Sequence, residues 1–458
     1  MNPLNLKTIS LLVLSIYFVC TTFSFAQDKQ KDTFWKQYKN VTDVGFSIKS
    51  FDKIRTQLDS LGTASLLVIY KGNILFSYGD NTRKFMIHSI RKSMMNALIG
   101  IEIQKGSIDL NQSLQQLNID DLGILTDEEK QATVKDLLSA RSGVYHASAY
   151  ATRDMIKNLP PRGSYKVGKH WYYNNWDFNA LLTIYEQKSR KKFFEAFKNE
   201  IADPIGMEDF DMEDGHYRFE RDKSIHPAYL FKMSARDMAR FGLLYLSKGK
   251  WKKNQIIPSK WIERSTQPVS TNLVNFDSRD AYGLLWWVSK INDRKVYYAS
   301  GSGGHSIMVL PEDDLVFVHR VNTYERFSVS DEKINDLALQ ILKAKDNPET
   351  KISSPKLINY NPSKTVFYNI FSGPMDQYIG TYKHQILGEM IIQKSNLGYV
   401  LLNNVGTFNL YATSEDTFII EDIEIPARMV KTSEESKRFL IEPILNTNKT
   451  IKEFVLYY

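Results

Sequence analysis

Cysteine is almost absent from this chain of 458 residues, which contains only Cys20. A single cysteine cannot form an intramolecular disulfide, and it excludes zinc sites built from two or four cysteines. The eight histidines form no His-Glu-x-x-His or His-x-His pair, and no glycine-rich phosphate loop precedes a predicted helix. The sequence therefore predicts neither a metal site nor a cofactor site.

Charge of one sign is not concentrated anywhere along the chain. Lys and Arg number 59 against 52 Asp and Glu, for a formal net charge of +7, and they form no dense basic block. Nucleic-acid binding is therefore not predicted. The 43% of apolar and 24% of charged residues are typical of globular proteins, and they exclude disordered, collagen-like and coiled-coil classes.

Long hydrophobic runs are confined to the first residues. Lys7 precedes the apolar run Ile9–Val19, and Ser24-Phe25-Ala26 offers small residues at the positions that a signal peptidase reads. We expect residues 1–26 to be a signal peptide cleaved after Ala26, with an uncleaved membrane anchor as the alternative. No later run reaches the ~18 residues of a membrane span, so a periplasmic or secreted protein is predicted.

Residues 46–345 have strand patterns at both ends and helical patterns between them, after a polar leader at 27–45. Two β-rich runs joined at Lys71-Gly72 predict a hairpin, and apolar spacing predicts a helix over 87–104. Strand patterns at 282–288, 295–298, 306–310 and 315–320 precede an amphipathic helix over 331–343. This order predicts an α+β fold, an antiparallel sheet flanked by helices with a helical subdomain.

A change of composition follows this region. Residues 346–364 contain three prolines and predict a linker. Residues 365–458 consist of short β-rich runs separated by polar turns. They predict a small all-β, barrel-like C-terminal domain.

Ser89 and Lys92 form a Ser-x-x-Lys pair at the start of the predicted helix. A spacing of three places both side chains on one helical face, where a neutral amine can take the hydroxyl proton if burial lowers its pKa. Backbone N–H groups at a helix start can also hold an oxyanion. A capping or solvent-facing serine is the alternative, since other Ser-x-x-Lys matches begin at Ser50, Ser189, Ser247, Ser330 and Ser353.

Two further motifs carry candidate chemistry. Tyr173 and Asn175 form a Tyr-x-Asn, in which a phenol beside a lysine ammonium can be pushed toward phenolate and an amide can donate to a substrate carbonyl. The alternative is an aromatic turn packed on the core. The run from Ala299 to His305 is rich in glycine, which lets a ligand approach a strand edge closely. A simple glycine hairpin or bulge is the alternative.

In this order the three motifs resemble the serine β-lactamase and penicillin-binding superfamily, most nearly its class C-like branch of esterases and 6-aminohexanoate-dimer hydrolases. The resemblance spans roughly residues 50–345. It implies that Ser89 forms an acyl-enzyme, that Lys92 is its base and that Tyr173 assists proton transfer. It also implies that Asn175 positions the substrate and that backbone N–H groups of Ser89 and Ser302 form an oxyanion hole. The predicted substrate-binding set is completed by Ser300, Gly301 and Tyr145.

One departure from the family pattern concerns the third motif. The family triplet usually begins with Lys or His, whereas this chain has Ala299-Ser300-Gly301. The missing cation argues against efficient recognition of β-lactams or D-Ala-D-Ala, which present a carboxylate, and nearby aromatic residues suit an uncharged acyl group. The sequence thus predicts an exported serine hydrolase of a small-molecule ester or amide. A ligand-capturing or sensor module without efficient turnover and an inactive scaffold are the alternatives, and the oligomeric state is left open.

Overall fold

The structure is a computed structural model that describes residues 35–271, 273, 279–323, 327–346, 354–363, 376–384, 388–395, 398–403, 407–412, 417–421, 438–439, 442–443 and 453–457. The predicted signal peptide lies outside these residues. The helices, labelled α1 to α10, are Ile48–Ser60, Arg91–Gln104, Val134–Leu138, Arg153–Lys157, Asn175–Ser189, Phe193–Phe197, Asp203–Ile205, Ala235–Leu246, Ser259–Ser265 and Asp331–Asp346. None of the described helices is both long and apolar enough to cross a membrane.

The strands before residue 360 are labelled β1 to β14. They are Lys36–Tyr38, Thr63–Tyr70, Asn73–Gly79, Phe85–Met86, Gly215–Arg218, Ala228–Met233, Lys250–Trp251, Asn254–Gln255, Ala281–Tyr282, Trp287–Ile291, Arg294–Gly301, His305–Leu310, Leu315–Val321 and Leu357–Asn359. The largest sheet among them has the order β14-β1-β3-β2-β13-β12-β11-β10-β9. Its neighbours are antiparallel apart from β1 and β3.

The predicted hairpin and the predicted helices are confirmed. Lys71 and Gly72 join β2 to β3, and both have positive φ, as the tight turn of a two-residue hairpin requires. Every residue of β13 is buried, so both faces of the sheet are covered. Helix α8 packs on β12 and β13, while α1 and α10 pack on each other. Helix α2 is buried from Arg91 to Glu102 and forms the centre of the domain.

The predicted strand over 282–288 is wrong, because the chain breaks into β9 and β10 around a turn. Leu285 in this turn has φ +60°. The carbonyl of Leu284 accepts a hydrogen bond from Asn96 Nδ2, and the carbonyl of Leu285 accepts one from Ser93 Oγ, each at 2.8 Å. Both donors lie on α2. Side chains of this buried helix therefore hydrogen-bond the backbone carbonyls that a neighbouring strand would otherwise pair with.

Parts of the predicted leader and of the predicted linker belong to the large sheet. Strand β1 pairs with β14 at the sheet edge, and Gln37 pairs with Ile74 of β3. Trp35 is buried next to β1. Tyr360, which follows β14, is also buried, and its hydroxyl lies 3.0 Å from Ser77 Oγ of β3.

The C-terminal region forms a second sheet from strands β15 to β22, which are Gly380–His384, Gly388–Ser395, Gly398–Asn403, Thr407–Ala412, Thr417–Glu421, Arg438–Phe439, Glu442–Pro443 and Glu453–Tyr457. The order is β20-β22-β19-β18-β17-β16-β15-β21. Met390 and Ile392 in β16 are buried, whereas Glu389, Ile391 and Gln393 are exposed. This alternation is that of a sheet with one covered face. The expected α+β fold with an all-β C-terminal part is confirmed.

Candidate active site

Ser89 lies in a tight 3-10 turn, His88–Ile90, that leads directly into helix α2. The residue before it, His88, has φ +48°, a conformation that costs energy for any residue but glycine. His88 Nδ1 lies 2.9 Å from the Tyr150 hydroxyl, and its ring stacks on His305 at 5.5 Å between centroids. Strained backbone of this kind persists where surrounding contacts hold it, often at functional sites.

Lys92 contacts Ser89 directly. Its Nζ lies 2.9 Å from Ser89 Oγ, and it is covered by the rings of Tyr173 and Phe178, whose centroids lie 4.7 and 4.8 Å away. Burial lowers the pKa of Lys92 well below its usual range, and the positive charge of Arg91 lowers it further. The amine is therefore favoured in its neutral form and can accept the proton of Ser89.

Tyr173 completes this group, and its side chain hydrogen-bonds to Ser89. Burial raises the pKa of the phenol above its usual value, although the hydrogen bond to Ser89 and the charges of Arg91 and Arg279 oppose that rise. The expected push toward phenolate is therefore wrong in direction. A neutral Lys92 provides no ammonium to favour the phenolate, so Tyr173 keeps its proton.

Asn175 is the first residue of helix α5, and Asn174 caps this helix by accepting a hydrogen bond from Trp176 N–H at 3.1 Å. Asn175 Nδ2 donates to the carbonyl oxygen of Tyr150 at 2.6 Å. This hydrogen bond uses one of the two N–H groups of the amide, so the predicted donation from Asn175 to a substrate carbonyl stays a prediction.

The third motif closes the opposite side of the site. Strand β11 ends at Gly301, where an added Cβ would lie 2.5 Å from the carbonyl oxygen of Ile87. Glycine thus allows the strand to pack against the backbone two residues before Ser89. Ser302 and Gly303 follow the strand and line the cleft beside Ser89.

Arg279 supplies a cation beside the third motif, although Ala299 does not. Its Nη2 donates to Ser300 Oγ at 3.0 Å, and its Nε donates to Asp331 Oδ2 at 2.9 Å. The guanidinium also lies 3.9 Å from the centroid of the Trp287 ring. Sequence reasoning missed this residue because it is twenty positions before Ala299 and belongs to none of the three motifs.

Ser89 opens onto a cleft with two chambers of about 540 and 310 Å³. Both chambers are lined by Ser89, Thr152, Met155, Ser302 and Gly303. The larger chamber adds Asn175 and the ion-paired side chains of Arg218, Glu220 and Lys223. The smaller chamber adds Tyr173, Ser300, Gly301 and the Arg279–Asp331 pair.

The predicted site residues thus converge on one cleft, with one exception. Six of them line the chambers, namely Ser89, Tyr173, Asn175, Ser300, Gly301 and Ser302, and Lys92 lies behind Ser89. Among the described residues, Tyr145 lines neither chamber. Its ring packs edge-on against Tyr165 and Tyr172, so its aromatic surface is used in packing.

Comparison with known proteins gives a family match over most of the domain. A family model described as Beta-lactamase matches residues 51–340. An uncharacterized protein of Alkalihalophilus pseudofirmus is 21% identical over 313 residues, which cover 59% of this chain and 87% of that relative.

Two solved structures share the fold at low identity. A Bacillus anthracis protein provisionally named a 6-aminohexanoate-dimer hydrolase has 19% identity and a TM-score of 0.51, covering 68% of this chain and 87% of its own. A Bacteroides dorei protein provisionally named a β-lactamase has 16% identity and a TM-score of 0.50, covering 65% and 99%.

Proposed function

The chain belongs to the Beta-lactamase family, and from this membership we propose that it is an exported serine hydrolase that cleaves a small ester or amide through an acyl-serine intermediate. One observation carries the proposal. Lys92 Nζ lies 2.9 Å from Ser89 Oγ, and burial together with Arg91 lowers the pKa of this amine. A base in its neutral form is thus in hydrogen-bond contact with the nucleophile.

Acylation follows from this arrangement. Ser89 Oγ attacks the carbonyl carbon of the substrate while its proton passes to the neutral Lys92 amine. The oxyanion of the tetrahedral intermediate accepts hydrogen bonds from backbone N–H groups of Ser89 and Ser302. The bond to the leaving group then breaks, and the Tyr173 hydroxyl gives its proton to the departing oxygen or nitrogen as it receives one from the Lys92 ammonium. A phenol that keeps its proton suits this relay, since it donates and is reprotonated.

Deacylation uses the same groups with water as the nucleophile. A water molecule attacks the acyl carbon and loses a proton through Tyr173 and Lys92. The C–O bond to Ser89 breaks, Ser89 Oγ regains a proton, and the carboxylic acid leaves. The export part of the proposal has a separate basis, which is the signal-peptide pattern of residues 1–26.

The experiment that tests the proposal compares wild type with Ser89→Ala on chromogenic esters, a D-amino-acid amide, a linear ω-amino amide dimer and a chromogenic cephalosporin. We expect Ser89→Ala to lower kcat by about 10³-fold or more and to abolish labelling by a serine-directed phosphonate. Ser50→Ala is the matched control, because Ser50 also begins a Ser-x-x-Lys but lies on α1; it should react like wild type.

Two results would contradict the proposal. Undiminished hydrolysis by Ser89→Ala would remove the assigned nucleophile. A stable acyl adduct on Ser89 without product release, detected by mass spectrometry, would favour the alternative of a ligand-capturing or sensor module.

A further inference from the structure

Two cations and one carboxylate line the larger chamber. They are Arg218 on strand β5, with Glu220 and Lys223 in the segment that follows. Among the described Asp, Glu, Lys and Arg side chains, no others line this chamber. Burial raises the pKa of the Glu220 carboxyl, but hydrogen bonds from Lys223 and from the Tyr150 N–H outweigh it and lower this pKa below its usual value. Glu220 therefore keeps its charge, and the three side chains carry a surplus of one positive charge.

The outer N–H groups of the Arg218 guanidinium are the part of this cluster that a ligand can use. Nε donates to Glu220 Oε1 at 2.9 Å, whereas Nη1 and Nη2 donate no hydrogen bond to any described residue. The Lys223 amine donates to the other oxygen, Glu220 Oε2. The side chains of Arg218 and Lys223 are 33% and 35% exposed, so both charges are accessible and partly shielded from water. Two parallel N–H groups of a guanidinium match the two oxygens of a carboxylate.

Arg218 is held close to the turn that carries the nucleophile. It pairs with Ala228 of β6, and its guanidinium carbon lies 5.4 Å from the centroid of the Tyr150 ring. The hydroxyl of the same tyrosine lies 2.9 Å from Nδ1 of His88, the residue before Ser89. The side chain of Tyr150 therefore spans the distance between this turn and Arg218. A substrate that reacts at Ser89 and extends along the larger chamber passes beside this guanidinium.

The smaller chamber has a cation that is already neutralised. Arg279 Nε and Nη2 both donate to Asp331 Oδ2, and both residues line this chamber. A carboxylate entering there would compete with Asp331 for the guanidinium. Tyr173, which protonates the leaving group in the proposed mechanism, lines the smaller chamber and not the larger one. The leaving group therefore departs through the smaller chamber, and the acyl part occupies the larger one.

We propose that Arg218, together with Lys223, binds a carboxylate at the far end of the acyl part of the substrate. The substrate class is then a half-ester or half-amide of a dicarboxylic acid, with a leaving group that carries no negative charge. This inference deepens the proposed function and rests on it for the identity of the reacting carbonyl. It replaces the uncharged acyl group expected from the sequence with an anionic one.

The test uses 4-nitrophenyl esters whose acyl chain ends in either a carboxylate or a carboxamide. The pairs are the half-esters of adipic, suberic and sebacic acids and the matching ω-carbamoyl esters. Each kcat/KM is divided by the hydroxide-catalysed rate constant of the same ester, which removes differences in intrinsic reactivity. We expect wild type to prefer the carboxylate by about fivefold or more at one or more chain lengths. The preference should shrink as salt is added, because these charges are partly exposed.

Variants of the three charged residues should change this preference in opposite directions. Arg218→Gln should bring it close to one, and Arg218→Lys should keep part of it, since the charge remains and the paired N–H groups are lost. Lys223→Gln should lower it by a smaller factor. Glu220→Gln removes the competing negative charge, so the preference should increase. Each preference is a ratio within one variant, so a smaller folded fraction cancels.

Arg221→Gln is the matched control. Arg221 belongs to the same segment, is exposed and stacks on the Phe219 ring at 5.3 Å. It lines neither chamber, so its loss should leave the preference unchanged. An equal fall in Arg221→Gln and Arg218→Gln would show that net charge, and not a binding position, causes the preference, and would overturn the inference.

A second pair of esters tests the side on which the charge is recognised. The hexanoate esters of 4-hydroxybenzoic acid and of 4-hydroxybenzamide place the carboxylate or the carboxamide on the leaving group. We expect no preference for the carboxylate here, because Asp331 occupies Arg279. The linear ω-amino amide dimer has an ammonium on its acyl part and a carboxylate on its leaving group, so it should be a poor substrate. A carboxylate preference as large as that on the acyl side would overturn the assignment of the chambers.

The outcomes separate the two proposals. Equal normalised rates for every acyl-side pair in wild type, or a preference that persists in Arg218→Gln, would overturn the role of Arg218 and leave the serine hydrolase standing. If no ester is hydrolysed and the phosphonate does not label Ser89, the proposed function fails. Calorimetric titration of Ser89→Ala protein with the acyl-side pairs then still decides the inference: tighter binding of the carboxylates supports it, and equal or weaker binding overturns it.

Discussion

Arg91 and Lys92 are adjacent in sequence and both buried, and the charge of Arg91 adds to burial in lowering the pKa of Lys92. A guanidinium stays charged in proteins, whereas a buried lysine amine loses its charge readily. The Arg91 guanidinium lies 4.5 Å from the centroid of the Tyr229 ring, which offers it a cation–π contact. The charge of Arg91 beside Lys92 thus favours the neutral amine.

The pH dependence of activity follows from this pair. Lys92 acts as a base only when it is neutral, so kcat/KM should rise with pH along one limb whose midpoint is the lowered pKa of Lys92. Arg91→Met removes the neighbouring charge, so the pKa of Lys92 should rise and the limb should move to higher pH. The measurement is kcat/KM for one ester from pH 4 to 10.

The control for this shift is Lys198→Gln. Lys198 pairs with Asp203 at the surface and lines neither chamber, so its loss should leave the limb in place. A profile flat from pH 5 to 9 would argue against Lys92 as the base, and an unmoved limb in Arg91→Met would argue against the contribution of Arg91.

At the scale of residues, the sequence predicts contacts between residues that are close in the chain. It does not predict contacts between residues that only the fold brings together. The spacing of Ser89 and Lys92 predicts that both side chains share one helical face, and in the structure Lys92 Nζ lies 2.9 Å from Ser89 Oγ. Arg279 lies just before β9, and its side chain reaches Ser300 of β11 across Trp287 of β10. Asn175 donates to the carbonyl of Tyr150, twenty-five residues away, and no pattern in the sequence indicates that contact.

At the scale of elements, the end of strand β11 and the turn before α2 support each other. Gly301 lies against the carbonyl of Ile87, and Ile87 N–H donates to Phe231 O of β6 at 3.0 Å. The turn that carries Ser89 is therefore held between a strand of the large sheet and a strand of the helical region.

Gly301→Ala should disturb this arrangement. The new Cβ would lie 2.5 Å from a backbone oxygen that cannot move aside cheaply. We expect a loss of about 1–3 kcal/mol in the free energy of unfolding and a fall of about tenfold or more in kcat/KM, since displaced reacting groups lose rate steeply. Denaturant unfolding and ester kinetics measure the two effects.

Gly106→Ala is the control that separates a general loss of stability from displacement of the turn that carries Ser89. Gly106 has φ +75° but open space around its Cβ position, and it follows α2 far from Ser89. It should cost about 1 kcal/mol in stability and leave kcat/KM unchanged. An equal loss of activity in both variants would show that general destabilisation, and not the position of the turn, explains the effect of Gly301→Ala.

Elements with strong local signals were predictable, such as the Lys71-Gly72 hairpin and helix α10. The strand predicted over 282–288 is wrong because the apolar side chains of this run are compatible with both a strand and a turn. Hydrogen bonds from Ser93 and Asn96 to the carbonyls of Leu285 and Leu284 favour the turn, and these donors lie 192 and 188 residues earlier in the chain.

At the scale of the whole molecule, the edge of the large sheet is built from segments on both sides of the helical region. Strand β14 lies at the end of the sheet and pairs with β1, and Tyr360 after it packs against Ser77 and Asn81. Among the described residues, none beyond Asp331 lines the cleft chambers.

Two truncations test the contribution of this edge. A chain ending at Ser363 keeps β14 and Tyr360, whereas a chain ending at Asp346 loses both. We expect the shorter chain to be less stable by about 2 kcal/mol or more, since a buried aromatic side chain is lost, while both retain wild-type kcat/KM. Denaturant unfolding measures the difference; equal stabilities would show that β14 and Tyr360 contribute nothing.

The central pairing of the large sheet has a consequence for biosynthesis. Strand β2 lies between β3 and β13, so residues 63–70 meet residues 315–321 only after most of the chain has left the ribosome. Contacts so distant in sequence slow folding, and until they form the apolar strand β2 has one bare edge. The nascent polypeptide thus carries one unpaired edge of β2, open to pairing with other chains, for most of its translation.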